Sequence, residues 1–307
     1  MKKNHHTALV LILLVFVGYS CKIAKNAKSQ PSFLSLENAN NQPWLWGKVP
    51  INALRQSPFD KWMVTNYQNY QPDAAQMEAL KQVIQNKQVQ IFLGTWCGDS
   101  KREVPKMLKV LQLAGVDTTN VELVCVSSND ETYKQSWHRE EKGKNIHRVP
   151  TFIIYDNDKE IGRMVESPKQ SIENDLWQII TGKAYQPKYP DVSFLQQQLK
   201  DLSNTSLATN KQAILDSLQK ISKSSGALNS YAYVLMAQKN WNKAFTVLQM
   251  NEALYPKDKN VYDSMAAWYE KRKQYNNAVE YYKKVLAIDA LDKNAHQKIA
   301  DLEKKLK

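Results

Sequence analysis

"GTWCGDSKREVP", residues 94–105, follows the apolar run "VQIFL" (89–93), and its reading decides the fold. A short apolar run that ends at Gly94 is the mark of a buried strand. The next residues, "SKREVPKMLKVLQLAG", carry a helix pattern that Asp99 or Ser100 can cap. Cys97 therefore stands at a strand-to-helix junction. Exposed N–H groups and the helix dipole at such a junction favour a thiolate. Lys101 and Arg102 strengthen that field, and Asp99 opposes it. The stretch holds a single sulfur, because Ser100 stands three residues after Cys97.

Outward from this point the chain alternates helix and strand patterns. "DAAQMEALKQVIQN", from residue 73, puts Met77, Leu80 and Ile84 on one helical stripe. "VELVCVS" (121–127) reads as a second buried strand, and a polar stretch with some helix follows. "TFIIYD" (151–156), the turn "NDKE" and "IGRMVE" (161–166) form a hairpin. Ser167-Pro168 opens a last helix, "KQSIENDLWQIITG". This order predicts an α/β domain over 73–182, with a mainly parallel sheet and an antiparallel hairpin at its edge.

Three features carry a resemblance. Trp96 directly precedes Cys97, Pro105 lies eight residues after it, and Val149-Pro150-Thr151 stands just before "FIIYD". Together they resemble the thioredoxin fold. The block "WCGDSKREVPKML…VPTFIIYDNDKEIGRMVESPK" is similar to thioredoxin-like proteins of Bacteroidota and Firmicutes that carry the same Cys-Gly-Asp-Ser. The resemblance implies that Cys97 is a nucleophile supported by Trp96, Gly98, Asp99, Ser100 and the helix proline Pro105. It also implies that Val149, Pro150 and Thr151 form a substrate loop. There a cis Pro150 turns the Val149 backbone outward, so that an extended peptide can pair beside the sulfur.

Two positions depart from that pattern. Ser100 stands where a dithiol reductase has the cysteine that resolves the mixed disulfide, and a hydroxyl cannot do this. Ile91 stands where thioredoxins bury an acid. A conventional dithiol reductase is therefore not expected. Two readings remain. In one, Cys97 performs monothiol chemistry on envelope proteins, and an external thiol donor resolves the product. In the other, a non-catalytic adaptor binds peptides through the Val149-Pro150 groove and the C-terminal region. Cys125 is either an internal resolver or an inert core residue. His147 is either a surface loop residue or a partner of the thiolate. Cys97 and His147 lack a third ligand at recognisable spacing, so neither a metal nor a cofactor is expected.

Beyond a linker at 183–191 the strand pattern ends, and residues 192–307 read as all-helical. "ALNSYAYVLMAQKNWNKAFTVLQMNEALYPKD" aligns with "KNVYDSMAAWYEKRKQYNNAVEYYKKVLAIDALD". Trp241 falls on Tyr275, Ala244 on Ala278 and Leu248 on Tyr282. The period of about 34 residues resembles the tetratricopeptide repeat. Repeats are placed at 225–258 and 259–292, with a polar capping helix at 293–306. Such an array presents a concave face, and it either recruits partners or only caps the α/β domain.

At the other end, "MKKNHHTALVLILLVFVGYSCK" pairs a basic start with an apolar run from Ala8 to Gly18. That run suits an export signal and is short for a membrane span. Gly18-Tyr19-Ser20-Cys21 resembles a lipoprotein cleavage site. A signal peptide is expected at 1–20, with Cys21 as the lipidated N-terminus, against the alternative of an uncleaved anchor. A tether follows at 21–42 and an irregular, aromatic-rich cover at 43–72. The chain is then exported and lipid-anchored to the cell envelope, facing the periplasm or in the outer membrane. The net charge of +12 comes from lysines scattered along helices. With no Arg-rich arm and no zinc spacing, nucleic acid is excluded as a partner.

Overall fold

The computed structural model describes residues 32–37, 41–201 and 204–307. The expected signal peptide, Cys21 and most of the expected tether lie outside them. Six strands form one sheet: β1 (Phe33–Glu37), β2 (Pro43–Val49), β3 (Gln88–Leu93), β4 (Val121–Cys125), β5 (Thr151–Asp156) and β6 (Lys159–Val165). Their spatial order is β1-β2-β4-β3-β5-β6.

The expected hairpin is the β5–β6 edge, but the sheet is mixed rather than mainly parallel. β3 and β4 run parallel, whereas β1–β2, β2–β4, β3–β5 and β5–β6 are antiparallel. The cause lies in residues 126–150, where helix was expected and turns are found. A parallel return needs a crossover to the far end of the sheet. This loop instead stays at the end where β4 finishes and feeds β5 in from there.

The N-terminal expectations also need correction. Residues 33–37, assigned to the tether, form β1, and residues 43–49, assigned to an irregular cover, form β2, which pairs with β4. β2 carries Trp44, Leu45 and Val49 buried. Gly47 interrupts its alternation at φ 108, where an added Cβ would meet the Ser32 carbonyl oxygen at 2.5 Å. That break hid the period-two pattern.

Four helices cover one face of the sheet: α1 (Asp60–Asn69), α2 (Ala74–Lys81), α3 (Gly98–Leu113) and α4 (Ile172–Ile180). Asp73 caps α2 and Ser171 caps α4 through side-chain acceptors. Alternation along the strands divides the core in two. Ile91, Leu93, Leu123, Cys125, Phe152 and Ile154 face the helices. Phe92, Val124, Val126, Ile146, Val149 and Ile153 pack on the opposite face, together with Trp96 and Cys97.

From Pro190 the chain is helical: α5 (Pro190–Asp201), α6 (Asn204–Thr209), α7 (Lys211–Ile221), α8 (Ser225–Ala237), α9 (Trp241–Leu254), α10 (Lys259–Lys271), α11 (Tyr275–Ile288) and α12 (Lys293–Leu306). Asp258 caps α10 and Asp292 caps α12, at equivalent points of the sequence period. Ala244 and Ala278 are fully buried, so the second helix of each pair lies close to its neighbours. Trp268 donates its indole N–H to the Trp241 carbonyl at 3.0 Å and ties α10 to the start of α9. Among the described residues, no helix is long and apolar enough to cross a membrane.

Candidate active site at Cys97

β3 ends at Leu93, and Gly94 lets the chain turn under Trp96. A Cβ on Gly94 would lie 2.5 Å from the Trp96 ring, so only glycine fits. Trp96 donates its indole N–H to the Val126 carbonyl at 2.9 Å, which locks the ring between the ends of β3 and β4. Cys97 is itself the N-cap of α3, in extended backbone (φ −89, ψ 126). Neither Asp99 nor Ser100 is the cap. Asp99 instead pairs with Arg102 at 2.7 Å. Gly98 is exposed, and a Cβ there would meet nothing within 4 Å, so the fold leaves this position open.

Ser100 is fully buried, and its hydroxyl accepts the Gly94 N–H at 3.1 Å. The residue at the second-cysteine position thus holds the strand-to-helix turn. Pro105 is buried inside α3. Lacking an N–H, it leaves the Lys101 carbonyl without its helical partner, and the Asn66 amide of α1 donates to that carbonyl at 3.1 Å.

Val149, Pro150 and Thr151 meet this helix start from the loop before β5. The Val149–Pro150 bond is cis. The half-buried Cys97 thiol donates to the Val149 carbonyl at 3.3 Å. The structure therefore brings Trp96 and Cys97 together with the Val149-Pro150-Thr151 loop, while Pro105 lies further along α3. All three loop residues are buried. The Pro150 carbonyl accepts the Glu166 N–H at 2.7 Å, and Thr151 Oγ1 donates to the Arg148 carbonyl at 2.7 Å.

Ile91 lies fully buried between Leu123 and Phe152, with no acid in its place. Cys125 is fully buried on the helix-covered face, opposite the cluster that holds Cys97. Burial pushes its thiol well above the ordinary range, which keeps it protonated and unreactive. Cys97 and Cys125, the cysteines among the described residues, are free thiols. His147 is neither a surface residue nor a thiolate partner. It is buried with its ring against Tyr189 and Tyr231, and burial lowers its pKa to about 3, helped by the Lys134 and Arg148 charges. A neutral imidazole of this kind supplies no charge to Cys97. No cluster of potential metal ligands occurs among the described residues.

Several neighbours of the site carried no sequence signal. Arg148 donates to the Gly226 carbonyl at the start of α8 (3.0 Å), lies 3.6 Å from Glu166 and stacks on the Tyr189 ring. Tyr189 in turn donates to Glu166. Lys134 and Tyr133 come from the polar stretch "NDETYKQSW", whose charges suggest solvent, yet Lys134 is only 4% exposed.

Residues 59–176 match the family described as Thioredoxin. With the sheet, the helix start at Cys97 and the cis-proline loop, this defines a thioredoxin-like domain, followed by a region of many helices. The match begins within the segment expected to be a cover, at the residue before α1. No curated protein matches the chain.

Proposed function

We propose that this protein is an exported, membrane-anchored monothiol protein that acts on disulfides of envelope proteins through Cys97. The observation that carries the reading is the Cys97 thiol at the start of α3, 3.3 Å from the Val149 carbonyl, with a buried hydroxyl at position 100. A Cys97 thiolate attacks one sulfur of a client disulfide. A new S–S bond forms, and the other client sulfur leaves as a thiolate. An external thiol then attacks the mixed disulfide, taking the client and restoring Cys97. The paired helices α8–α11 are read as tetratricopeptide-type repeats. A cleft of about 460 Å³, lined by Tyr233, Asp263, Glu270 and Tyr282 of these helices, Lys298 of α12 and Asp130 of the loop 126–150, suits a client segment of mixed charge. Cys21 carries the lipid in this reading.

A second reading, a non-catalytic adaptor, draws on one observation. The helical cleft needs no thiol to hold a partner, and because Val149 and Pro150 are buried, this adaptor binds through the helices and not through that loop. One experiment separates the two. Cells expressing the full chain are quenched in acid, and the membrane fraction is resolved on non-reducing gels. The wild type accumulates reducible adducts, Cys97→Ser abolishes them and Cys125→Ser retains them, while mass spectrometry finds a lipid-bearing Cys21 at the N-terminus. Partners that co-purify equally with Cys97→Ser, without any adduct, establish the adaptor instead.

A further inference from the structure

We propose that Lys134 is the counter-charge of the Cys97 thiolate, a buried cation standing in for the ionisable group that Ile91 displaces. The inference rests on the reading of Cys97 as a nucleophile and adds the residue that supports it.

The loop from Ser127 to Gln135 is built to turn this lysine inward. Lys134 adopts φ 55, and its N–H donates to the Ser127 carbonyl at 2.8 Å. The Ser127 N–H returns a bond to the Gln135 carbonyl at 2.9 Å. Trp46 of β2 also donates to the Gln135 carbonyl, at 2.8 Å. The same chain segment is pinned to the active site from its other end, where Trp96 holds the Val126 carbonyl. The Lys134 ammonium donates to the His147 carbonyl at 2.8 Å and to the Tyr133 hydroxyl at 2.9 Å. The Cys97 thiol donates to the carbonyl two residues further on, at Val149. Nitrogen and sulfur are thus both moored to one short run of backbone.

A buried ammonium is costly unless a negative charge answers it. Lys134 forms no ion pair among the described residues, and its two bonds go to a carbonyl and a phenol. The charged and titratable groups around it are Arg148, Tyr133, His147, Glu166 and Cys97. Burial and then Arg148 lower its pKa to about 7, while Cys97 and Glu166 act to raise it. Glu166 already answers Arg148 and Tyr189. His147 is neutral, and burial raises the Tyr133 hydroxyl. The one anion left for Lys134 is the thiolate. When Cys97 enters a mixed disulfide its charge disappears. The ammonium then gives its proton to the departing client thiolate, so an N–H bond breaks and an S–H bond forms.

The test is the rate at which iodoacetamide, a neutral reagent, alkylates Cys97 in the full chain between pH 5 and 10, with the site assigned by peptide mass spectrometry. Lys134→Met moves the midpoint of the profile up by about one pH unit and slows alkylation at pH 7 roughly ten-fold. Lys134→Arg, which keeps the charge, stays near the wild type. The melting temperature of Lys134→Met is unchanged or higher, because a buried charge has been removed. Superimposable profiles for Lys134→Met and wild type overturn the proposal, as does a fall in reactivity that Lys134→Arg shares. Should Lys134→Met fail to fold, NMR of the wild-type lysine ammonium decides. Its titration moves down when Cys97 is capped as a neutral methyl disulfide, and an unmoved titration overturns the pairing. Absence of client adducts in cells would remove the disulfide chemistry without touching either titration.

Discussion

Ser100 does two things at once: it removes the resolving sulfur and it supports the turn that presents Cys97. Its hydroxyl accepts the Gly94 N–H in a fully buried setting, where an unmet donor costs about 1–3 kcal/mol. Ser100→Cys is therefore expected to lose about 1 kcal/mol of stability, because sulfur is a weak acceptor. The same change is expected to create insulin-reductase turnover, and the wild type is expected to show none, since the helix start and the Val149 loop are already in place and only the second sulfur is missing. Turnover with a small-thiol recycling system and a urea melt measure the two effects. Robust wild-type turnover without added thiols would point to an internal resolver. Cys125 is poorly placed for that role, because period-two alternation turns it to the opposite face of the sheet from the Cys97 cluster.

At the scale of elements, the site is a junction of one helix and two loops. α3 keeps its proline because α1 supplies Asn66 to the orphaned Lys101 carbonyl, a pairing of positions far apart in sequence. The loop 126–150 replaces a crossover helix and carries Lys134, His147 and Val149 to the same end of the sheet. In the helical half, the small residues set how closely helices approach. Ala278 of α11 is fully buried among Ala266, Tyr282 and Ala295. Ala278→Leu is expected to overpack this seam and to cost about 1–3 kcal/mol, read as a lower melting temperature. If the helices recruit clients, that variant loses adducts while Cys97 alkylation stays unchanged.

Across the whole molecule, the helical half packs against the back of the Val149 loop. Arg148 reaches the Gly226 carbonyl, His147 lies against Tyr189 and Tyr231, and Lys271 approaches Asp130 at 3.7 Å. Burial there has a pH consequence. An unfolded histidine takes a proton below its ordinary value of 6.5, but His147 in the fold takes it only near 3. Between those values the unfolded chain binds more protons, so stability falls as pH falls. The His147 contribution is fully present above about pH 6.5 and is lost on descent toward pH 3, with a slope of at most about 1.4 kcal/mol per pH unit. Urea unfolding at pH 4, 5, 6 and 7 measures it. His147→Phe keeps the ring contacts and is expected to flatten the slope, and an unchanged slope would assign the acid sensitivity to other groups.

Local pattern determined a good deal. The apolar run before Gly94, the Trp96-Cys97 pair, Pro105 and Val149-Pro150 located the α/β domain and its strand-to-helix junction at Cys97, because buried strands, helix starts and prolines impose constraints readable within a few residues. The helical period placed α8–α12 for the same reason: Asp258 and Asp292 cap equivalent helices, and Ala244 and Ala278 recur where helices touch. What depends on distant partners was decided only by the tertiary structure. β1 and β2 joined the sheet because β4 offered an open edge, and Gly47 broke the alternation that would have announced them. β5 ran antiparallel because a loop, not a helix, carried the chain to it. Lys134 and His147, in a stretch as polar as any surface, were buried by β2, the Val149 loop and α8 closing over them, and burial by remote segments leaves no mark on the residues it covers.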